Sequence, residues 1–103
     1  MDNSFRIISR SSESADYFSV FGNIDAFAEK QLQGLPATVG KQVVQFDFNE
    51  AGRINSMGIA LLLRCFKKIR EEKKAEIILR DLSTTNAMLF KMTGIFLLAN
   101  HEK

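Results

Sequence analysis

The sequence predicts a single small α/β domain, a mainly parallel mixed β-sheet with three or four helices, and three observations carry that reading. The chain has 103 residues, 46% of them hydrophobic, with six glycines and one proline, which is the profile of one compact unit with little room for a second. From residue 43 onward β-rich runs alternate with helical stripes, as right-handed crossovers between parallel strands require. No internal repeat, low-complexity tract or Pro/Ser-rich linker divides residues 1–103, so they read as one domain.

The elements follow in order. Phe5 to Ser9 and Tyr17 to Phe21 are short runs of β-formers separated by the polar Ser11-Ser12-Glu13-Ser14, a strand, a turn and a strand that can lie antiparallel to the rest. Gly22 breaks this pattern. From Ile24 the apolar positions Ile24, Phe27, Ala28, Leu32 and Leu35, with polar Gln31 among them, repeat at three and four residues. An amphipathic helix is expected there, capped by Asn23 or Asp25 and stopped by Gly34 and Pro36. In Val43 to Phe48, Val44, Phe46 and Phe48 share one face and Val43, Gln45 and Asp47 the other, the alternation of a central strand. A loop through Gly52 leads to the strongest helix, where Ile59, Leu62, Leu63, Phe66 and Ile69 form a core stripe ending in a charged last turn. Glu76 to Arg80 reads as another buried strand. Ser83 or Thr84 caps a third helix from Thr85 to Thr93 that Gly94 terminates, and Ile95 to Ala99 is expected to be a last short strand.

Composition excludes several function classes. A domain of this size buries about two thirds of its unfolded surface and needs no covalent staple, which suits a chain whose one cysteine, Cys65, has no disulfide partner. One Cys and one His cannot supply the roughly four ligands of a structural zinc site, so no metal or cofactor is expected. The amino terminus lacks a basic stretch followed by an apolar segment, and the longest uncharged apolar run, Met57 to Leu63, falls far short of the roughly 20 residues that span a bilayer. The expectation is a cytoplasmic protein without direct membrane insertion. Fourteen basic against twelve acidic side chains leave a net charge of +2, too little to imply nucleic acid. Residues 64 to 80 hold seven basic and three acidic groups, among them Arg64, Lys67, Lys68, Arg70, Lys73 and Lys74. They read as the solvated end of a helix and its turn, where cations also suit the helix dipole.

Catalytic patterns fail on inspection. Gly34-Leu35-Pro36-Ala37-Thr38-Val39-Gly40-Lys41 resembles a phosphate-binding loop, but five residues separate its glycines, Gln42 stands where Ser or Thr would hold the metal, and a strand follows where a helix should. Ser56 and Gly58 match half of a nucleophile elbow, yet Ile54 occupies the place of its first glycine. The one histidine, His101, reads as a surface group near the terminus with no carboxylate arranged to orient it. Glu71 and Glu72 sit among lysines and read as solvated, and Cys65 reads as a small packed or half-exposed thiol.

What remains is the segment Ile54-Asn55-Ser56-Met57-Gly58-Ile59, between a strand's carboxyl end and the strongest helix, where open α/β sheets concentrate function. Ser56 is its N-cap or its first residue. At about 100° per residue, Met57, Leu61, Arg64 and Lys68 are expected to point away from the core stripe. Exposed Met57 and Leu61 beside a hydroxyl suggest a docking surface. Ser83, Thr84 and Thr85 offer rival hydroxyls but read more simply as a capping cluster.

Asp47-Phe48-Asn49-Glu50-Ala51-Gly52-Arg53-Ile54-Asn55-Ser56-Met57-Gly58-Ile59, followed by Leu61-Leu62-Leu63, resembles the central signature of the STAS domain family, the anti-sigma factor antagonists. There an apolar strand ending in Asp leads through a short loop to Ile-Asp-Ser-Ser-Gly at a helix start. The resemblance extends to Leu82-Ser83 and to Met92-Thr93-Gly94-Ile95, and in outline covers nearly the whole chain. It implies a non-catalytic switch in which a serine kinase of the anti-sigma type phosphorylates the matching residue, Ser56, and a PP2C-like phosphatase restores it, with a further downstream protein target. Asn55, Met57, Gly58, Leu61, Arg64 and Lys68 would form the partner-binding face around it. Three departures stand out: Asn55 replaces the usual Asp, Met57 replaces the second Ser and removes a second acceptor, and Arg53 stands where an apolar residue is common. The family's closing helix is expected to be short or absent. The resemblance also admits an alternative, a constitutive accessory subunit of an ABC-type lipid-transport complex docking through the same helix face without modification.

Overall fold

A computed structural model describes residues 3–102. Five strands form one mixed sheet in the order β1-β2-β3-β4-β5: Arg6–Ser11, Ala15–Ile24, Val43–Ile54, Glu76–Arg80 and Asn100–Glu102. β1 is antiparallel to β2, and every other pairing is parallel. The helices are α1 (Glu29–Gly34), α2 (Ser56–Lys68) and α3 (Thr84–Thr93). The expected mainly parallel sheet, with its opening strand reversed, is what forms.

The strand parity read from the sequence sets the core. Phe18 and Val20 of β2, Val44, Phe46 and Phe48 of β3, and Ile77 and Leu79 of β4 are buried, whereas Tyr17, Ser19, Gln45, Asp47 and Ile78 on the other face are half-buried. Phe46 meets Phe66 of α2 edge-on at 5.0 Å between ring centroids, and Phe48 meets Phe90 of α3 at 5.5 Å. Both helices therefore lie on one face of the sheet, as right-handed crossovers that all step the same way dictate. The facing aromatic rings adopt the edge-to-face geometry that their quadrupoles prefer.

Three sequence expectations are corrected. Gly22 does not end β2: at φ +79° it takes a conformation open to glycine and lets the chain run on to fully buried Ile24. A Cβ there would overlap the Ser4 carbonyl oxygen. Ile24 is thus a strand residue, and the helical stripe assigned to begin with it dissolves. Asp25 caps a 3-10 turn, Ala26–Ala28, whose Phe27 is 88% exposed, while Ala28, Leu32 and Leu35 are buried as expected. Second, the segment read as a loop through Gly52 belongs to β3. Two register shifts against β2, between Ser19 and Phe21 and between Gly22 and Ile24, absorb extra residues of β3 as bulges, so the strand continues to Ile54. Third, Ile95 to Ala99 is not a strand. Gly94 at φ +87° ends α3 and turns the chain into a 3-10 segment, Ile95–Leu97, and the last strand is the polar Asn100–Glu102.

Asp16 locks the sheet end opposite the helix starts. Its carboxylate is 5% exposed and accepts from the Ser11 hydroxyl (2.6 Å) and the amides of Gly40 (2.8 Å) and Lys41 (3.0 Å). Burial alone would raise its pKa, but these three donors, helped by the Lys41 charge, hold it below the ordinary aspartate value. Its contribution to stability is therefore complete above about pH 4 and lost as pH falls through the lowered value, because the unfolded chain takes up the proton first. Asp16→Asn is expected to cost about 1–3 kcal/mol at pH 7 and to flatten the acid limb of the stability curve. Urea titrations across pH 2–7 measure both, and equal stability of the two proteins at pH 7 would contradict the assignment.

Candidate functional site

The site is built where β3 hands over to α2. One residue, Asn55, separates strand from helix, and it is the N-cap: extended at φ −94°, ψ −177°, its Oδ1 accepts from the Gly58 amide at 2.8 Å. The Asn55 amide donates to the carbonyl of Ile24, the last residue of β2 (3.2 Å). Gly58 is buried directly against that same carbonyl, where a Cβ would overlap the oxygen. Asn23 Oδ1 accepts from the Arg53 amide at 2.9 Å and bridges the bulged strand pair. Buried Asn86 donates to the Gly52 carbonyl (3.4 Å) and ties the start of α3 to the same bulge.

Ser56 is the first residue of α2, exposed, and among the described residues its hydroxyl takes part in no hydrogen bond. Of the two positions open to it, N-cap or first residue, the structure selects the second because Asn55 performs the capping. Ser83 differs: its hydroxyl accepts from the Asn86 amide (3.1 Å) as the cap of α3, while Thr84 and Thr85 are exposed in the first turn.

Met57 is 47% exposed, and Asn55, Arg64 and Lys68 are exposed as expected. Leu61 is not. At 2% exposure it faces the α1 side, and with Leu32, Pro36 and Cys65 it lines a cleft between the two segments, with Arg64 and Lys68 at its rim. The core stripe of α2 is wider than packing on the sheet alone would make it, because α1 and its 3-10 continuation Leu35–Thr38 cover a further side. Gly58 is likewise buried and acts by permitting close packing. Cys65 is buried, and desolvation pushes its thiol up to about 12, the opposite of an activated cysteine. The exposure of Phe27 is masked in the sequence because its spacing matches a core stripe. The signal against that reading was Asp25, a cap residue two positions earlier.

Among the described residues no acid or base is hydrogen-bonded to the Ser56 hydroxyl. His101 lies in the edge strand β5, stacked on Phe96 at 5.6 Å between ring centroids. The glycine-rich segment before β3 has its Gly40 and Lys41 amides turned onto Asp16, so the anion that they bind is the protein's own. Among the described residues no three His, Cys, Asp or Glu side chains converge as a metal site, and no helix is long and apolar enough to cross a membrane.

No protein-family model matches the sequence, and no curated protein matches it. Solved structures match its fold. An anti-sigma factor antagonist from Mycobacterium paratuberculosis superposes with a TM-score of 0.74 at 16% identity, over 98% of this chain and 87% of that one. The Bacillus cell fate determinant SpoIIAA in its phosphorylated form gives 0.68 at 18% identity, over 97% and 92%. The chain has the STAS fold. A sulfate transporter family protein from Wolinella succinogenes gives 0.74 at 11% identity, over 86% and 78%, so the STAS fold of this chain is shared with proteins of more than one description.

The geometry separates capping from display. Asn55→Ala is expected to lower stability by about 0.5–2 kcal/mol and Gly58→Ala by about 1–3 kcal/mol through overlap with the Ile24 carbonyl, whereas Ser56→Ala changes it by less than about 0.5 kcal/mol. Thermal or denaturant unfolding of the three variants checks the order. A Ser56→Ala loss as large as that of Asn55→Ala would show the hydroxyl to be structural.

Proposed function

We propose that this chain is a non-catalytic regulatory switch of the anti-sigma factor antagonist type, which binds a partner protein through the start of α2 and is released by phosphorylation of Ser56. The observation that carries the reading is the unengaged, exposed Ser56 hydroxyl on a helix capped by its neighbour. Phosphate there adds a charge of about −1.5 to −2 close to a helix N-terminus, which stabilises a nearby anion by roughly 0.3–1 kcal/mol. The fold tolerates the group. A partner covering it faces an unpaired buried charge costing about 2–5 kcal/mol, or roughly one and a half to three and a half decades in affinity. The partners implied are a serine kinase of the anti-sigma type, a PP2C-like phosphatase and a downstream protein. Likeness to a SpoIIAA structure in its phosphorylated form supports the reading.

The fold shared with a sulfate transporter family protein supports a second reading, a constitutive accessory subunit of an ABC-type lipid-transport complex docking through the same face. Pull-downs with Ser56→Ala and Ser56→Asp baits, followed by affinity measurement for the captured protein, decide between them. The switch reading expects Ser56→Ala to bind like wild type and Ser56→Asp to bind at least about thirtyfold more weakly. Equal affinity of wild type, Ser56→Asp and the phosphoprotein would overturn it in favour of the constitutive subunit.

A further inference from the structure

We propose that the seam between α1 and α2 is the groove for an acidic amphipathic helix of the partner, with Phe27 as the aromatic anchor at its mouth; this deepens the reading above and rests on a partner docking at the start of α2. Ile24 and Ile54 are register partners at the carboxyl ends of neighbouring parallel strands. Phe27 lies three residues beyond the first and Met57 three beyond the second, so an 88% exposed ring and a 47% exposed thioether flank one end of the seam. The backbone that carries the ring is fixed: the Phe27 amide donates to Asp25 Oδ1 and the Ala28 amide to the Asp25 carbonyl, both at 3.0 Å. A solvent-facing aromatic side chain on a fixed turn is the type of group that dominates binding energy once a partner's apolar surface covers it.

Below this lip runs a cleft of about 430 Å³ with Leu32, Pro36, Leu61 and Cys65 on its floor and Arg64 and Lys68 on its rim. α2 carries Arg64, Lys67 and Lys68 and no acidic residue, and the one ion pair among the described residues is Arg80 with Glu102, on the far side of the sheet order. The two rim cations stand four residues apart, and among the described residues neither is in an ion pair. That spacing is matched by carboxylates one turn apart on a facing helix, and the 13 residues of α2 give a bed of about 20 Å, room for three to four turns. Apolar mouth and cationic rim together select a helix with an apolar end and an acidic flank, the helix-in-groove mode of recognition. A phosphate on Ser56 would place negative charge at the mouth of a groove whose rim attracts negative charge, which accounts for release.

The test is amide chemical-shift mapping with two synthetic helical peptides sharing one apolar face, one flanked by glutamates and the other by lysines. The glutamate peptide is expected to bind, to shift residues 27–33 and 57–68, and to weaken as salt is raised. Phe27→Ala and the double variant Arg64→Glu/Lys68→Glu should each weaken it about tenfold or more, and all three side chains are exposed enough for the variants to fold. No preference for the glutamate peptide, unchanged affinity in Phe27→Ala, or shifts centred on exposed Met88, Met92 and Leu97 instead would overturn the groove. Ser56→Asp in the same titration keeps the two claims apart. A glutamate peptide that binds it as well as wild type in the seam supports the groove and overturns the switch. A peptide that fails to bind, while Ser56→Ala and Ser56→Asp still differ toward a captured protein, overturns the groove alone.

Discussion

The position of one carbonyl oxygen, that of Ile24, organises the functional end of the molecule. β2 ends there, the Asn55 amide donates to it, and Gly58 packs on it without a side chain. Those contacts fix the origin and direction of α2 relative to the sheet before any contribution from Ser56. Upstream requirements follow from the same point. β2 reaches Ile24 because Gly22 can adopt a positive φ, and β3 reaches Asn55 in register because two bulges absorb its additional residues. The Asn23 bond to Arg53 and the Asn86 bond to Gly52 hold this irregular stretch against its neighbours.

This arrangement divides labour between adjacent residues. A serine at a helix start is ordinarily read as a cap, and capping would make its modification destabilising. Here the asparagine before it caps, and the serine hydroxyl is left to solvent. The chemistry at the surface can change while the backbone hydrogen bonds that build the junction remain satisfied. The apolar groups around it, Met57 and Phe27, come from two different crossover segments, so a partner would read the relative placement of two elements and not one peptide.

The buried face of the central strand, the parallel character of the sheet and the strongest helix are legible in the sequence because each rests on a local periodicity or on the alternation of strand and helix. Val44, Phe46 and Phe48 alternate with half-buried residues as expected, and Ile59, Leu62, Phe66 and Ile69 are buried on α2. The sequence also puts Ser56 at the start of α2, open between N-cap and first residue, while the capping role of Asn55 is not legible in it. The missing parts depend on tertiary partners. Leu61 is buried only because α1 leans on that side of α2, and Phe27 is exposed only because β2 continues past Gly22 and pushes the helix start downstream. Asn49, Glu50, Gly52 and Arg53 are residue types suited to a loop, yet pairing with β2 makes this stretch strand. The Asp16 lock spans residues 11 to 41, a separation that no short window reveals.

The central claim is that the junction is held by Ile24, Asn55 and Gly58 independently of the serine it displays. It is tested most directly by comparing amide spectra and unfolding midpoints of the unmodified protein with protein carrying phosphoserine at position 56. The account predicts an unchanged midpoint within about 0.5 kcal/mol of stability, with spectral changes confined to the start of α2 and the turn bearing Phe27. A loss of several kcal/mol, or changes spreading through β2 and β3, would contradict it.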